Sequence, residues 1–245
     1  MLLLYLEFGF MGSNINKTLN ALSQGFVSSC QPVDGGAMDT PDIIAAMAIA
    51  SVEGGAVGLR IEGIDNLKAV RPKVSVPIIG IIKRDLTDSE VRITPFIDDV
   101  IALKEAGADI IAIDATDRPR PVSVKELVSK IQSLGCLVMA DSSTYAEGMF
   151  CHELGVEIIG TTLSGYTTPV IPKEPDFQLI DHLASKGCFV MAEGRFNSPL
   201  LARQAIEAGA SCVTVGSAIT RIEHICEWFK SEVELGKSNV VKDIA

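Results

Sequence analysis

The chain has 245 residues, 47% of them apolar and only 5% aromatic, which suits one (β/α)8 barrel of roughly 250 residues with a core of Ile, Val, Leu and Ala. Its formal charge of −10 argues against nucleic acid or an anionic membrane as the main partner, because neither would find a basic face for its phosphates.

The opening MLLLYLEFGF is apolar but lacks a basic start and a small-residue cleavage site, and about ten residues cannot span a bilayer. Residues 1–24 are therefore read as an N-terminal extension that can hold a helix, with Met11 as an alternative start. Beyond it, short runs rich in Ile and Val alternate with segments of helical apolar spacing. The expected strands are Phe26 to Gln31, Ala56 to Ile61, Pro77 to Arg84, Asp109 to Thr116, Leu137 to Ser142, Ile158 to Leu163, Phe189 to Arg195 and Cys212 to Ser217.

Between the fourth and fifth of these, Val124, Leu127, Val128, Ile131 and Leu134 fall on one helical stripe. Ile222, Ile225, Cys226, Phe229 and Val233 repeat the pattern in the last helix. Gly55, Gly107, Gly135, Gly155, Gly187 and Gly209 each stand just before a strand, where a left-handed helix end favours glycine by about 1 kcal/mol or more. An open eight-stranded sheet would need a reversal of strand order, so closure is expected: a single (β/α)8 TIM barrel of the phosphate-binding type over 25–237, with 238–245 as a tail.

Cys30, Cys136, Cys151, Cys188, Cys212 and Cys226 form no C-x-x-C pair and read as free thiols of a reducing compartment, the cytoplasm. His152, His182 and His224 lie in helical segments, and no metal-ligand spacing can be assembled from them.

In barrels of this class the active site lies at the carboxyl ends of the strands. Those ends carry Gln31, Arg60, Lys83 with Arg84, Asp114, Asp141, Thr161 with Thr162, Glu193 with Arg195, and Gly216 with Ser217. Side chains two apart share a face, so Lys83 goes with Ile79 and Ile81, and Glu193 with Phe189 and Met191. Parity alone does not say which face is the interior, and Lys83 could equally be a solvated strand end. The last two loops, AEGRFNSP and TVGSAITR, have the glycine turns that hold phosphate in many barrels, with Asn197 and Ser217 as further donors. Arg221 places a cation at the start of a helix, a small conflict with the macrodipole that a bound phosphate would remove.

The segments SCQPVDG, GAVGLRIEG, PIIGIIKRD, IIAIDAT, MADSST, IGTTLSGYT, MAEGRFNSP and TVGSAITR, in this order, resemble the N-acetylmannosamine-6-phosphate 2-epimerases of bacterial sialic-acid catabolism. The resemblance runs from about Val27 to Phe229. It implies a (β/α)8 barrel, no cofactor or metal, and interconversion of N-acetylmannosamine 6-phosphate with N-acetylglucosamine 6-phosphate. By the matched motifs, Lys83 and Glu193 are catalytic, Gln31, Arg60, Asp141 and Arg221 contact substrate, and Gly194, Arg195, Gly216 and Ser217 cradle phosphate. A homodimer is also implied.

Inverting C2 means removing its hydrogen and returning it to the other face, which the neighbouring C1 aldehyde of the opened sugar makes feasible. Burial beside Arg60 or Arg221 would free Lys83 of its proton and make it the base. Glu193 would serve the other face of C2, or ring opening; a single-base route fits as well. Asp141 could orient Lys83 or bind a sugar hydroxyl. The rival readings are a Schiff-base lyase or synthase using Lys83, and a catalytically silent phosphosugar-binding regulator.

Overall fold

Eight parallel strands pair in chain order and close on themselves: β1 (Phe26–Cys30), β2 (Gly58–Glu62), β3 (Ile78–Ile81), β4 (Ile110–Asp114), β5 (Leu137–Asp141), β6 (Ile158–Gly160), β7 (Val190–Glu193) and β8 (Cys212–Val215). In this computed structural model, which describes residues 16–242, β8 returns to β1 with Val27 opposite Thr214. Each expected strand overlaps one observed strand, and only β2 runs past its expected end, by the one residue Glu62. The observed ones are shorter because the polar residues at their carboxyl ends leave the ladder and turn into the mouth of the barrel. The opening decapeptide and its alternative start lie outside the described residues.

Helices α1 (Pro41–Glu53), α2 (Ile64–Val70), α3 (Ile97–Glu105), α4 (Val124–Ser133), α5 (Tyr145–Glu153), α6 (Phe177–Ala184) and α7 (Pro199–Glu207) follow the first seven strands. A short helix α8 (Ser217–Thr220) and a long terminal helix α9 (Ile222–Lys242) follow the eighth. The starts of α4 and α5 are fixed by capping boxes, Ser123 with Glu126 and Thr144 with Glu147. The six glycines expected at helix ends all have φ between 71° and 101°, a region where a side chain would be strained.

Closure sorts the faces that parity left open. Val27, Ile79, Ile81, Ile110, Ala112, Leu137, Met139, Ile158, Met191 and Cys212 pack together inside the barrel, while Cys30, Leu59, Ile61, Ile111, Val138 and Val190 join the layer under the helices. Lys83, Asp114, Asp141 and Glu193 therefore belong to the inward set. A helical stretch over 16–22 brings Leu22, fully buried, into the interior cluster. Leu22 takes the space a side chain at Gly58 would need, since a Cβ there would stand 2.6 Å from its Cδ2. The bottom of the barrel is thus filled with apolar side chains, and the polar residues collect at the top.

The terminal helix departs from expectation. In α4 the stripe residues Val124, Leu127, Val128 and Ile131 are buried, but in α9 Ile222, Phe229 and Val233 are exposed, as are Trp228 and Leu235. The physical reason is placement: α9 packs mainly against the short α8 and not onto the outer face of the strands. No described helix is long and apolar enough to cross a membrane.

Candidate active site

A cavity of about 310 Å³ opens at the carboxyl ends of the strands. Gln31, Arg60, Lys83, Glu193, Gly194, Arg195, Gly216, Ser217 and Arg221 all line it, so nine sequence-predicted positions, separated by as many as 190 residues, meet at one place.

Arg60 forms its centre. Its side chain is buried at the end of β2, with Nη2 donating to Asp141 Oδ2 at 2.6 Å and Nη1 donating to Glu193 Oε2 at 2.7 Å. Burial weakens the guanidinium's hold on its proton, but Asp141 and Glu193 outweigh it and keep Arg60 firmly protonated. One cation is shared between two carboxylates. Glu193 is accordingly raised above the ordinary carboxylate range, first by burial and further by Asp141, against the pull of Arg60.

Asp141 has a partner the sequence did not suggest for it, the guanidinium of Arg60. It is fully buried behind Arg60, off the cavity wall, and also accepts a 2.6 Å hydrogen bond from Thr162 Oγ1. The space for this bond exists because β6 carries Gly160, where a Cβ would meet Met139 Cε at 2.6 Å and Thr162 Oγ1 at 3.0 Å. Asp141 therefore fixes Arg60 rather than orienting Lys83.

Lys83 stands on the opposite wall, because β3 and β7 lie four places apart in a ring of eight. Among the described residues its ammonium has no hydrogen bond or ion pair within contact distance. Burial pushes it below the ordinary ammonium range; Asp34 and Glu62 resist this, and the positive fields of Arg221 and Arg60 add to it. The like-charge effect expected from the two arginines is present, but desolvation comes first.

The last two turns flank this pair. Gly194 (φ 108°) and Arg195 (φ 65°) bend sharply after β7. The Arg195 side chain is tied to the loop after β6, with Nη1 donating to Ser164 O at 2.6 Å, Nε donating to Glu174 O at 2.8 Å, and the guanidinium 5.2 Å from the Tyr166 ring centre. Phe196 buries itself edge-on against Phe177 of α6 and anchors the turn. On the other side, Gly216 leads into α8, and Arg221 Nε donates to Gln31 O at 3.0 Å. Gln31 Nε2 in turn donates to Ser29 Oγ at 2.8 Å.

Sequence reasoning passed over Ser29, Ile93, Tyr166 and Thr214, which share the cavity wall with Thr162, noted at its strand end but given no role. Parity with Gln31 and Cys212 could have found Ser29 and Thr214. Arg60 Nε and Thr214 Oγ1 are buried without a hydrogen-bond partner among the described residues. Such atoms are uncommon in native interiors, and a water or a ligand can satisfy them. Five of the six cysteines are buried free thiols, and Cys226 on α9 is exposed.

Comparison with known proteins bears on what this cavity does. Residues 44–235 match the family model described as "Putative N-acetylmannosamine-6-phosphate epimerase". Relatives named "Putative N-acetylmannosamine-6-phosphate 2-epimerase" include one from Aliivibrio fischeri, 87% identical over 96% of this chain and 100% of its own length. Another, from Haemophilus influenzae, is 61% identical over 89% of this chain and 96% of its own. Among solved structures, the N-acetylmannosamine-6-phosphate 2-epimerase from Clostridium perfringens superposes with a TM-score of 0.84 at 38% identity, covering 87% of this chain and 95% of that one. Thiamine phosphate pyrophosphorylase from Pyrococcus furiosus, with a TM-score of 0.57 at 14% identity over 82% of this chain and 89% of that one, shares the fold alone.

Proposed function

This chain belongs to the N-acetylmannosamine-6-phosphate epimerase family, and on that premise we propose how its cavity acts as an N-acylglucosamine-6-phosphate 2-epimerase. The enzyme interconverts N-acetylmannosamine 6-phosphate and N-acetylglucosamine 6-phosphate. That reaction, rather than imine-forming lysis or silent phosphosugar binding, is the one its relatives are named for.

One observation carries the assignment of roles: an amine and a carboxyl group face each other across the ring, with their proton affinities pushed in opposite directions. Lys83, whose hold on its proton is weakened by burial, takes the C2 proton of the opened sugar. The electron pair left on C2 passes into the C1 carbonyl as an enolate. Glu193, held towards its protonated form, returns a proton to C2 from the opposite face. One C–H bond breaks and one forms, and Lys83 and Glu193 exchange their protons with solvent before the next turnover. The opposed walls favour this two-base route over the single-base one.

Arg60 acts as a positioning residue for Glu193 and presents its unpartnered Nε to the substrate, while Asp141 holds Arg60 in place. Gly194, Arg195, Gly216 and Ser217 cradle the phosphate with their backbone amides, in the manner of barrels whose last two loops bind phosphate. Arg221 and Gln31, linked to each other, close the site between β1 and β8. The buried thiols support a reducing compartment, the cytoplasm. The exposed apolar side chains of α9 support a homodimer in which a second copy covers them.

Proton NMR of N-acetylmannosamine 6-phosphate in deuterated water with EDTA tests the whole reading. The C2 proton should wash out as the N-acetylglucosamine epimer appears. Epimer formation with C2 still fully protonated would rule out the proton-transfer chemistry.

A further inference from the structure

After β3 the chain doubles back, so that Ile93 pairs antiparallel with Lys83. The pair is bracketed by Thr94 N donating to Ile82 O at 2.7 Å and Arg84 N donating to Arg92 O at 3.0 Å. Lys83 and Ile93 do not themselves exchange hydrogen bonds. This is the narrow kind of antiparallel pair, in which the Cα atoms approach to about 4.5 Å and the side chains lie closest. The fold-back is firmly held. Thr94 is fully buried with φ 47°, and Ile93 O accepts from Asp114 N of β4 at 3.1 Å. Ile93, 8% exposed, lines the cavity together with Ile81, which precedes Lys83 by two on the same inward face.

Chemistry at C2 limits what can lie beside the base. A base that removes the C2 proton must come within about 3–3.5 Å of its target in the reactive arrangement. The acyl group hangs from nitrogen on that same carbon, and its first side carbon lies across a trans amide from C2, about 3.8 Å away. An apolar group therefore has to sit a few ångströms from wherever Lys83 acts. The wall that offers an apolar surface there is the one made by Ile93 and Ile81. Of the other apolar side chains of the cavity, Tyr166 and Phe196 adjoin the turn assigned to the phosphate, at the far end of the sugar, and Leu163, which packs on the interior cluster from the loop after β6, is the rival wall that the test below separates from Ile93.

We propose that Ile93, with Ile81 beneath it, forms the seat for the methyl of the substrate's N-acyl group and limits the acyl chains the enzyme accepts. The proposal rests on the C2 reaction assigned above. It makes Ile93 a specificity-determining residue, delivered to the site by a loop fold-back rather than by a strand end.

The test measures kcat/KM for the N-acetyl, N-propanoyl and N-butanoyl forms of mannosamine 6-phosphate in the wild type, I93A, I93V and L163A. The ratio of two substrates within one enzyme is independent of the fraction correctly folded. The wild type should prefer acetyl over propanoyl by about tenfold, the discrimination one methylene supports in an apolar pocket. I93A should erase most of that preference, I93V should move the ratio in the same direction by less, and L163A should leave it unchanged. An unmoved ratio in I93A and I93V, a shift in L163A instead, or a wild type indifferent to acyl length would each overturn the acyl seat while leaving the C2 reaction standing. Failure of the wild type to turn over the N-acetyl substrate would sink the C2 reading and this proposal with it.

Discussion

Two clusters of arginine and carboxylate sit at the mouth of the same barrel, and they are built on opposite principles. At the end of β4, Asp114 is ringed by two arginines. Its carboxylate accepts from Thr116 N and Oγ1, from Arg118 Nη2 at 2.6 Å and from Arg120 Nη2 at 3.2 Å. Arg120 also reaches Asp114 O at 2.7 Å and bonds Thr116 O, and Arg118 Nε reaches Thr116 Oγ1 at 2.8 Å. Across the mouth, one arginine serves two carboxylates, a lysine stands without an ion pair, and two buried polar atoms have no partner among the described residues. The first arrangement is saturated and holds loops together; the second is left incomplete and can respond to a substrate.

The contrast is broken most directly through Lys83. K83A should lower turnover by about 10²–10⁴, the usual worth of a positioned acid or base, with the melting temperature retained, as read by C2 exchange and by calorimetry. Appreciable C2 exchange in that variant would remove the base from the site.

E193Q should lower turnover within the same range of about 10²–10⁴, yet be no less stable than the wild type at neutral pH. The folded-state affinity of Glu193 for its proton is raised, so in the wild type its contribution is fully present below the unfolded carboxylate value. That contribution is lost as pH rises through the folded one. The stability advantage of E193Q should therefore be greatest at high pH and vanish as pH falls towards the unfolded carboxylate range, which denaturant melts at several pH values would show.

R60L leaves Asp141 and Glu193 buried as unpaired like charges and should destabilise the fold by about 3–5 kcal/mol. D114N has the smallest expected effect: a loss of about 1–3 kcal/mol for a buried bond network left short of an acceptor, with turnover per folded molecule unchanged. A loss of activity in D114N beyond its loss of folded protein would erase the distinction between the two clusters.

Much of the site was legible in the chain. Period-two spacing grouped Lys83 with Ile79 and Ile81, and Glu193 with Phe189 and Met191, the strand ends named Arg60, and the misplaced cation at a helix start named Arg221. Asp141 was legible as an inward carboxylate but not as the support of Arg60, because that contact joins β2 to β5 across 81 positions and depends on which strands face each other. Ile93 had no local signal at all: its segment reads as a loop, and only its return onto Lys83 puts it in the cavity. The stripe on α9 looked like that on α4 because amphipathic spacing records that an apolar face exists, not what covers it.

The sequence by itself determined the alternation of strand and helix, the glycines that end the helices, and which side chains of each strand share a face, since these follow from backbone geometry over a few residues. Only the tertiary structure decided which face became the interior, that Lys83 and Glu193 oppose each other, and that Arg60 is shared between two carboxylates. Closing the ring brings together groups whose separation along the chain has no bearing on their distance in space, and the balance of burial against charge that sets their proton affinities exists only once they have met.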